Sequence, residues 1–560
     1  MVMMFRKTIY KGIMKKYFII ALAALGFAAC AEKMNDGPSP EQTGELEQSY
    51  IAINLMSSEL DTRVNNDDPE LEDGEEAERK VNSVHFFFFR QGVPFAVNAA
   101  GTAPGGGKNW LQATTPEFTE DLDEDNISAY SNVMLVLNNY KGQHPDQIVA
   151  VINWNPEGGD YTLAKLQEAL SNLRGNADGF VMSNSVYRSD NGEVINATSI
   201  PRTYETAAEA ADAPVDIYVE RIAAKVKVNT PAASDADWNA EKQWFNTGKS
   251  SDLITIGEKK VYVKIRNWSL YNARSQSNVL KSINPQWTDG VLGLAWNNSP
   301  YHRSYWADAN EYNSTFVNNN DLNWSKGNTL GGATYCGENT AANTENRTKL
   351  VLKGQLVNAD GAPFELVKWN GQEMVEVDNL KIAVASQLQY QVFSYTDLED
   401  PTTHVSITPD DIECISGAEV NAPDGVENYE VYFALSTLGQ SKDWAIKNGD
   451  ILTPYDDSHI NDHLALNIPP AIVYASGMTY YFIDIKHLGT AGKKAEFGVV
   501  RNHIYDIVIE SIKGYGTPVY IPTGNLVPET PTEEEAAFVA AKINVLSWRV
   551  VHQGVDIVQE

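Results

Sequence analysis

The feature that most restricts the fold of this chain is a series of short apolar segments, each bounded by Gly, Pro, Asn or Asp. They are rich in β-branched and aromatic residues, which favours strands. In YIAINLM, Ile51, Ile53 and Leu55 alternate with other residues, as in a strand that buries one face. The sequence therefore predicts a mostly β fold with strands at residues 50–56, 84–90, 132–138, 147–154, 215–228, 260–271, 348–357, 379–385, 429–435, 478–488, 503–512 and 541–551.

Helical patterning is weaker than strand patterning. The best amphipathic stretch is TLAKLQEALSNL at residues 162–173, where leucines recur at positions 163, 166, 170 and 173. We therefore expect β-sandwiches with one or two short helices.

The length of the chain allows several domains. Its 560 residues correspond to two to four domains at roughly 100–200 residues each. NTPAASDADWNA at residues 229–240 is the clearest mid-chain break, and residues 514–535 form a linker with four prolines and four glutamates. These breaks predict two β-sandwich domains, at residues 64–229 and 230–513, followed by a linker and terminal strand at residues 514–560.

The charge and cysteine content exclude several classes of protein. The chain has 43 Lys and Arg against 74 Asp and Glu, a net charge of −31 without a basic patch, so nucleic acid is not an expected partner. Its three cysteines, Cys30, Cys336 and Cys414, form no CxxC or Cys/His cluster. We expect no metal and no cofactor, and we expect Cys336 and Cys414 to be buried, with their pairing left open.

The N-terminus has the pattern of an export signal. Lys15 and Lys16 precede an apolar run at residues 17–29, shorter than the ~20 residues that a membrane-spanning helix needs. This predicts a signal peptide at residues 1–29. Because Ala28 and Ala29 directly precede Cys30, that cysteine is the expected lipidation site of a bacterial lipoprotein; an ordinary signal peptide is the alternative. Met14 is an alternative start, and no other apolar run is long enough to predict a transmembrane helix.

A polar tether follows Cys30, and a strongly acidic segment follows the first strand. Eight of the twelve residues at positions 67–78 are acidic, so repulsion should keep this segment exposed and Arg63 accessible.

Motifs for catalysis are weak. TAPGGGKN at residues 102–109 lacks the spacing of a P-loop, and DLDEDN at residues 121–126 lacks the Gly and distal Glu of a calcium loop. We expect Arg501 and Tyr505 to belong to a structural hydrogen-bond network and His503 to face solvent. The protein is not predicted to be an enzyme; a surface glycoside hydrolase, which needs two carboxylates across a cleft, stays open as a minor alternative.

The two ends of the exported chain resemble each other, because each carries a strand on a tether. A sandwich that lost one strand would expose an unpaired edge, and an extended strand from another copy could repair it.

Several motifs together resemble one family. They are LGFAAC at residues 25–30, YIAINL with Arg63, VERIAAKVKV at 219–228, YHRSYWA at 301–307, YCGENT at 335–340, VVRNHIYDIVIESI at 499–512 and INVLSWRVV at 543–551. With these motifs the chain resembles the FimA/Mfa-type fimbrillins, the shaft subunits of type V pili in Bacteroidia, and especially the Mfa branch. The resemblance implies two transthyretin-like, Greek-key sandwiches with a detachable N-terminal strand and a donor C-terminal strand.

The resemblance also implies a route of assembly. Cys30 would anchor the precursor (residues 30–63 as propeptide) to the outer membrane, and an Arg-specific surface protease would cut between Arg63 and Val64. The departing strand would carry Ile51, Ile53 and Leu55. Another copy would supply a donor strand, whose face is Ile543, Val545, Leu546, Trp548 and Val550. Because the Val545–Leu546 step breaks strict alternation, we expect a bulge or a register change there.

The implied function is a structural subunit of a surface fimbria that supports adhesion and biofilm formation. Its partners would be other copies of itself together with tip and anchor subunits. Arg79 and Arg90 are alternative cleavage sites. A tip or anchor subunit, or a monomeric glycan-binding surface lipoprotein, is the alternative function.

Overall fold

The computed structural model describes most of the chain from Leu46 onward. Contacts divide the chain into Met1–Glu45 and Leu46–Glu560, and all described residues belong to the second unit. They are residues 46–57, 76–78, 80–97, 107–113, 119–120, 129–140, 143–173, 175, 178–185, 187–188, 194–233, 235, 237–250, 260–282, 326–341, 343–416, 430–487, 496–520 and 538–547.

The first part of the described chain forms one large sheet with order β3-β2-β7-β9-β13-β1-β6-β5, in which β4 also pairs with β2 and β12 with β7. Strands β10 and β11 form a separate pair. The strands are β1 (Leu46–Ser57), β2 (Val84–Arg90), β3 (Val93–Pro94), β4 (Trp110–Ala113), β5 (Thr119–Glu120), β6 (Ala129–Tyr140), β7 (Gln147–Ile152), β8 (Leu170–Asn172), β9 (Met182–Asn184), β10 (Tyr187–Arg188), β11 (Val194–Ile195), β12 (Thr198–Ser199) and β13 (Val215–Arg221).

The four consecutive phenylalanines of β2 show why this sheet is buried on both faces. Successive side chains of a strand point to opposite faces. Phe86 and Phe88 belong to one apolar cluster, which also contains Ile51 and Ile53, and Phe87 and Phe89 belong to another.

Two further sheets enclose a second core. One has the order β19-β14-β31-β33 and the other β15-β16-β17-β20-β30-β32, and both supply residues such as Val226, Phe245, Leu352 and Ile507 to one apolar cluster. Their strands are β14 (Ala223–Asn229), β15 (Trp238–Asn239), β16 (Trp244–Ser250), β17 (Lys260–Tyr271), β18 (Gln276–Asn278), β19 (Ala333–Gly337), β20 (Lys349–Val357), β30 (Met478–Asp484), β31 (His503–Lys513), β32 (Thr517–Pro518) and β33 (Phe538–Ser547), of which β18 pairs instead with β8.

Between β20 and β30, which pair with each other, the chain makes an excursion with a core of its own. Its sheets have the orders β22-β21-β29-β26-β25 and β24-β23-β27-β28. The strands are β21 (Leu366–Trp369), β22 (Gln372–Val375), β23 (Val392–Tyr395), β24 (Val405–Ser406), β25 (Ile412–Ser416), β26 (Glu430–Leu435), β27 (Asp443–Asn448), β28 (Ile451–Tyr455) and β29 (Ala471–Tyr474).

These sheets confirm the mostly β fold. The predicted domain boundaries stay a prediction, although β14, which they assign to the first domain, pairs with β19 and β31 of the second core.

The helices differ from the predicted ones. They are α1 (Leu163–Glu168), α2 (Ala207–Asp212), α3 (Val377–Leu388) and α4 (Asp457–Asn467), with 3₁₀ turns at Glu76–Glu78, Thr344–Asn346, Pro401–Thr403, Pro409–Asp411, Gly439–Ser441 and Ala475–Gly477. The expected helix at residues 162–173 ends at Glu168 because Leu170–Asn172 pairs as β8 with β18. The strand predicted at residues 379–385 is wrong: it lies in α3, where Leu380, Val384 and Leu388 are buried. None of the helices among the described residues has the length and apolarity to cross a membrane.

Candidate assembly strands and a buried ionic cluster

Strand β1 carries the predicted departing residues and lies inside the first sheet. It pairs antiparallel with β6 along its length and parallel with β13 from Ile53 to Ser57. Ile51 and Ile53 are each 1% exposed, and Leu55 lies opposite Ile217 in the register with β13. Without β1, both neighbouring strands would lose main-chain partners, and the apolar cluster around Ile51 and Ile53 would open.

Strand β33 carries part of the predicted donor face and lies at the end of its sheet. It pairs antiparallel with β31. The register puts Ile543 opposite Ile507, Val545 opposite Tyr505 and Leu546 opposite Ile504. The bulge or register change expected at the Val545–Leu546 step is not observed in the pairing with β31. The register shift of this pair lies instead between Ile509 and Ser511 of β31, so the prediction was wrong.

The sequence suggested that each terminal strand would be isolated on a tether, but neither of them is. Each pairs with partners that are distant in sequence. Other predicted features lie outside the described residues: the signal segment at 1–29, Cys30, Arg63, Val64, Trp548, Val550, most of the acidic segment, DLDEDN at 121–126 and YHRSYWA at 301–307.

A group of buried charges lies where the neighbours of these two strands come together. Glu220 is near the end of β13, and its carboxylate is 2.9 Å from the ammonium of Lys281, with both side chains fully buried. Arg501, just before β31, donates to a carboxylate oxygen of Glu338 at 2.7 Å, again with both side chains fully buried. Arg501 also donates to the carbonyl oxygen of Asn278 at 2.8 Å. We call Glu220, Lys281, Glu338 and Arg501 the ionic cluster.

Burial and neighbouring charges have opposite effects on the pKa values of Glu338 and Lys281 in the ionic cluster. Burial opposes ionisation of Glu338, but the positive charges of Arg501 and Lys281 outweigh it, and the pKa of Glu338 lies below its ordinary value. Burial lowers the pKa of Lys281, although Glu220 and Glu338 act in the opposite direction. Removing one member would therefore leave charge in a place from which water is excluded.

The predictions for Arg501 and Tyr505 are confirmed, and the prediction for His503 is wrong. Arg501 and Tyr505 belong to a hydrogen-bond network, since Tyr505 donates its hydroxyl to, or accepts from, Nδ1 of His487 at 2.9 Å and accepts from the amide of Val500. His503 does not face solvent but is 1% exposed, with Nδ1 at 2.8 Å from the carbonyl oxygen of Arg501. His503 lies two residues before Tyr505 in β31, so both side chains point to the same face of the strand, and this spacing could have predicted the burial of His503.

The two described cysteines are free. Cys336 is buried in β19, and Cys414 is half-buried in β25. Burial raises the pKa of each thiol to about 12, which makes both poor nucleophiles. Among the described residues no group of His, Cys, Asp and Glu could hold a metal ion.

Comparison with known proteins points to fimbrial proteins at the C-terminal end. Residues 472–554 match the model of the family "Major fimbrial subunit protein type IV, Fimbrillin, C-terminal". This stretch includes β30, β31 and β33. A search of curated proteins found no match.

Solved structures with a similar course include the fimbrillin FimA of Porphyromonas gingivalis W83, with 12% identity, a TM-score of 0.34, and coverage of 90% of this chain and 99% of that one. A fimbrial assembly protein of Parabacteroides distasonis has 9% identity and a TM-score of 0.30, covering 72% of this chain and 100% of that one. The C-terminally truncated tip protein Mfa3 of P. gingivalis has 10% identity and a TM-score of 0.29, covering 89% and 99%. TM-scores this low carry no argument about function, and none of these structures singles out the Mfa branch.

Proposed function

We propose that this protein is a structural subunit of a surface fimbria that polymerises by strand exchange. In this proposal β1 leaves its sheet after proteolysis, and the C-terminal strand of another copy takes its place. The observation that carries the proposal is the position of β1: it is a central strand with buried Ile51 and Ile53, yet among the described residues it precedes every other strand, so a cut directly after it would separate no other described strand from the rest. The C-terminal family match supports the fimbrial role.

The energetics favour exchange over simple loss. Loss of β1 would expose main-chain groups of β6 and β13 together with an apolar groove, and an incoming strand restores both kinds of contact. Each apolar side chain that enters the groove contributes about 1.5–3 kcal/mol before the cost of ordering the strand. Cleavage makes the exchange directional, because it discards the covalently attached competitor.

The donor strand must first leave its own molecule. Among the described strands of the monomer, β33 pairs with β31 alone, whereas β1 pairs with both β6 and β13. An edge strand gives up fewer contacts than a central one, so the same chain can hold β33 loosely enough to donate it.

The remaining steps of the proposal come from the sequence. Lipidation at Cys30 holds the precursor at the outer membrane, and cleavage between Arg63 and Val64 by an Arg-specific protease releases the subunit. Tip and anchor subunits complete a filament that serves adhesion and biofilm formation. Its role is structural and not enzymatic.

The first test is the N-terminus and intact mass of the protein sheared from its native cells. A start at Val64, together with ladders of oligomers that resist SDS, would support the proposal. A lipidated start at Cys30 on a monomer would contradict it and favour an anchor subunit or a glycan-binding lipoprotein.

A further inference from the structure

Glu78 is an acid at the end of a strongly acidic segment, yet it is 1% exposed. Its carboxylate is 2.7 Å from the ammonium of Lys225 in β14 and accepts a hydrogen bond from the hydroxyl of Tyr335 in β19. Its carbonyl oxygen accepts from Nε of Arg221, the last residue of β13, at 2.9 Å. One residue thus joins the sheet that contains β1 to the sheet that contains β33.

The residues that follow Glu78 are also held in place, by hydrogen bonds to Asn153. Asn153, in a left-handed conformation with φ of 56°, donates from its amide nitrogen to the carbonyl oxygen of Lys80 and accepts at its amide oxygen from the backbone N–H of Asn82, both at 2.7 Å. The backbone at Lys80 approaches Gly179 so closely that a Cβ there would lie 2.4 Å from the Lys80 carbonyl oxygen. These contacts fix the path by which the chain enters β2.

We infer that buried Glu78, which we call the clasp because its contacts join the two sheets, must stay in the assembling subunit. The cut that frees β1 therefore falls between Ser57 and Glu78. Without Glu78 the buried ammonium of Lys225 would lose a carboxylate that lies 2.7 Å away, and Arg221 would lose an acceptor. The interval contains one arginine, Arg63, whereas Arg79 lies beyond the clasp. The statement about the cut rests on the proposed function; the clasp itself does not.

A double-mutant cycle on the full chain tests the clasp. Glu78→Gln and Lys225→Met should each lower the Tm by several degrees, because each breaks the buried pair between the Glu78 carboxylate and the Lys225 ammonium. The double variant should recover a large part of the loss. Glu241→Gln, at an exposed position, is the matched control and should leave the Tm unchanged. An unchanged Tm in Glu78→Gln, or a double variant no more stable than the sum of the single losses predicts, would overturn the clasp.

Proteolysis tests where the cut must fall. An Arg-specific protease is applied to the wild type and to Arg63→Gln, and each product is identified by its N-terminus and its Tm. The wild-type product should begin before Glu78, whereas any Arg63→Gln product that begins at Lys80 should melt several degrees lower than the wild-type product. A product that begins at Lys80 and has the same Tm as the wild-type product would overturn the inference. If the wild type is cut and never forms ladders of oligomers, the proposed function fails. The double-mutant cycle still tests whether Glu78 joins the two sheets.

Discussion

The two terminal strands differ in how they are held. Strand β1 lies between β6 and β13, with Ile51 and Ile53 buried, whereas β33, in the part of the chain that the structure describes, pairs with β31 alone at the end of its sheet. A central strand is stabilised by two ladders of main-chain hydrogen bonds, and an edge strand by one. In the proposed exchange, β1 is the central strand that must be replaced, and β33 is the edge strand that is given up.

The ionic cluster lies between the neighbours of these two strands. Glu220 belongs to β13, the parallel neighbour of β1, and Arg501 immediately precedes β31, the neighbour of β33. Lys281 and Glu338 pair with them. Buried ion pairs are costly to break, so this cluster links the sheet of β1 to the sheet of β33.

The largest effect on stability is expected from a charge placed in β1. Ile53→Asp would bury a carboxylate in the apolar cluster and should reduce the free energy of unfolding of the precursor by about 4 kcal/mol or more. Urea titration followed by hydrogen exchange of β6 and β13 would measure the loss. Gln48→Glu, at an exposed position of the same strand, is the control. Equal stability of the two variants would mean that β1 is not the central strand described here.

The second effect concerns the ionic cluster. Glu338→Gln should cost about 3–5 kcal/mol, because the charge of Arg501 would stay buried without its carboxylate. The folded pKa of Glu338 lies below its unfolded value, so its contribution is present above the unfolded pKa and is lost as the pH falls through the folded pKa. Thermal melts between pH 7 and acid should therefore fall less steeply in the variant. A parallel fall in both proteins would contradict this role.

A smaller effect is expected at the donor end. Truncation after Ala537 removes β33, and the monomer should lose roughly 2–3 kcal/mol, since each of its ten register pairs with β31 should contribute ~0.2–0.3 kcal/mol, the low end of the range for cross-strand pairs. The same truncation should abolish oligomer ladders in the processed protein. Ladders that persist without β33 would show that the C-terminal strand is not the donor.

The smallest effect on stability is expected from locking β33 in place. Val508 and Lys542 are directly opposite in the β31–β33 register, so Val508→Cys with Lys542→Cys can form a disulfide at a suitable Cα separation. The oxidised variant should melt close to the wild type but fail to form ladders, and reduction should restore them. The single variants are the controls, and ladders in the fully oxidised protein would exclude release of β33.

The residues show how far sequence reasoning could go. The strands at β2, β7 and β31 were predicted where they are observed, because alternation and β-branched residues act locally. The seven-residue window at 379–385 was misread as a strand, since a short apolar run fits both periodicities. The excursion between β20 and β30, with its own core, gave no composition break that marked it.

The candidate site divides in the same way. Ile51, Ile53 and the terminal strand could be singled out from their alternation and their position at the ends. Glu78, Lys281 and Glu338 could not, because a charged residue in a polar or mixed segment is ordinarily exposed, and only a partner distant in sequence explains its burial. Charges inside the apolar segment VERIAAKVKV, where Glu220, Arg221 and Lys225 lie, were the available signal.

The sequence by itself determined that this chain is mostly β and that its two ends carry strands, because strand periodicity is a property of neighbouring residues. The tertiary structure decided which strand is central and which is at an edge, where the helices of the excursion form, and that buried acids and bases meet between the two sheets. Those outcomes depend on pairing between residues far apart in the chain, such as Glu78 with Lys225 and Glu338 with Arg501. Burying each of these charges costs free energy because water is excluded, and the opposite charge that offsets this cost comes from a distant residue that no local pattern specifies.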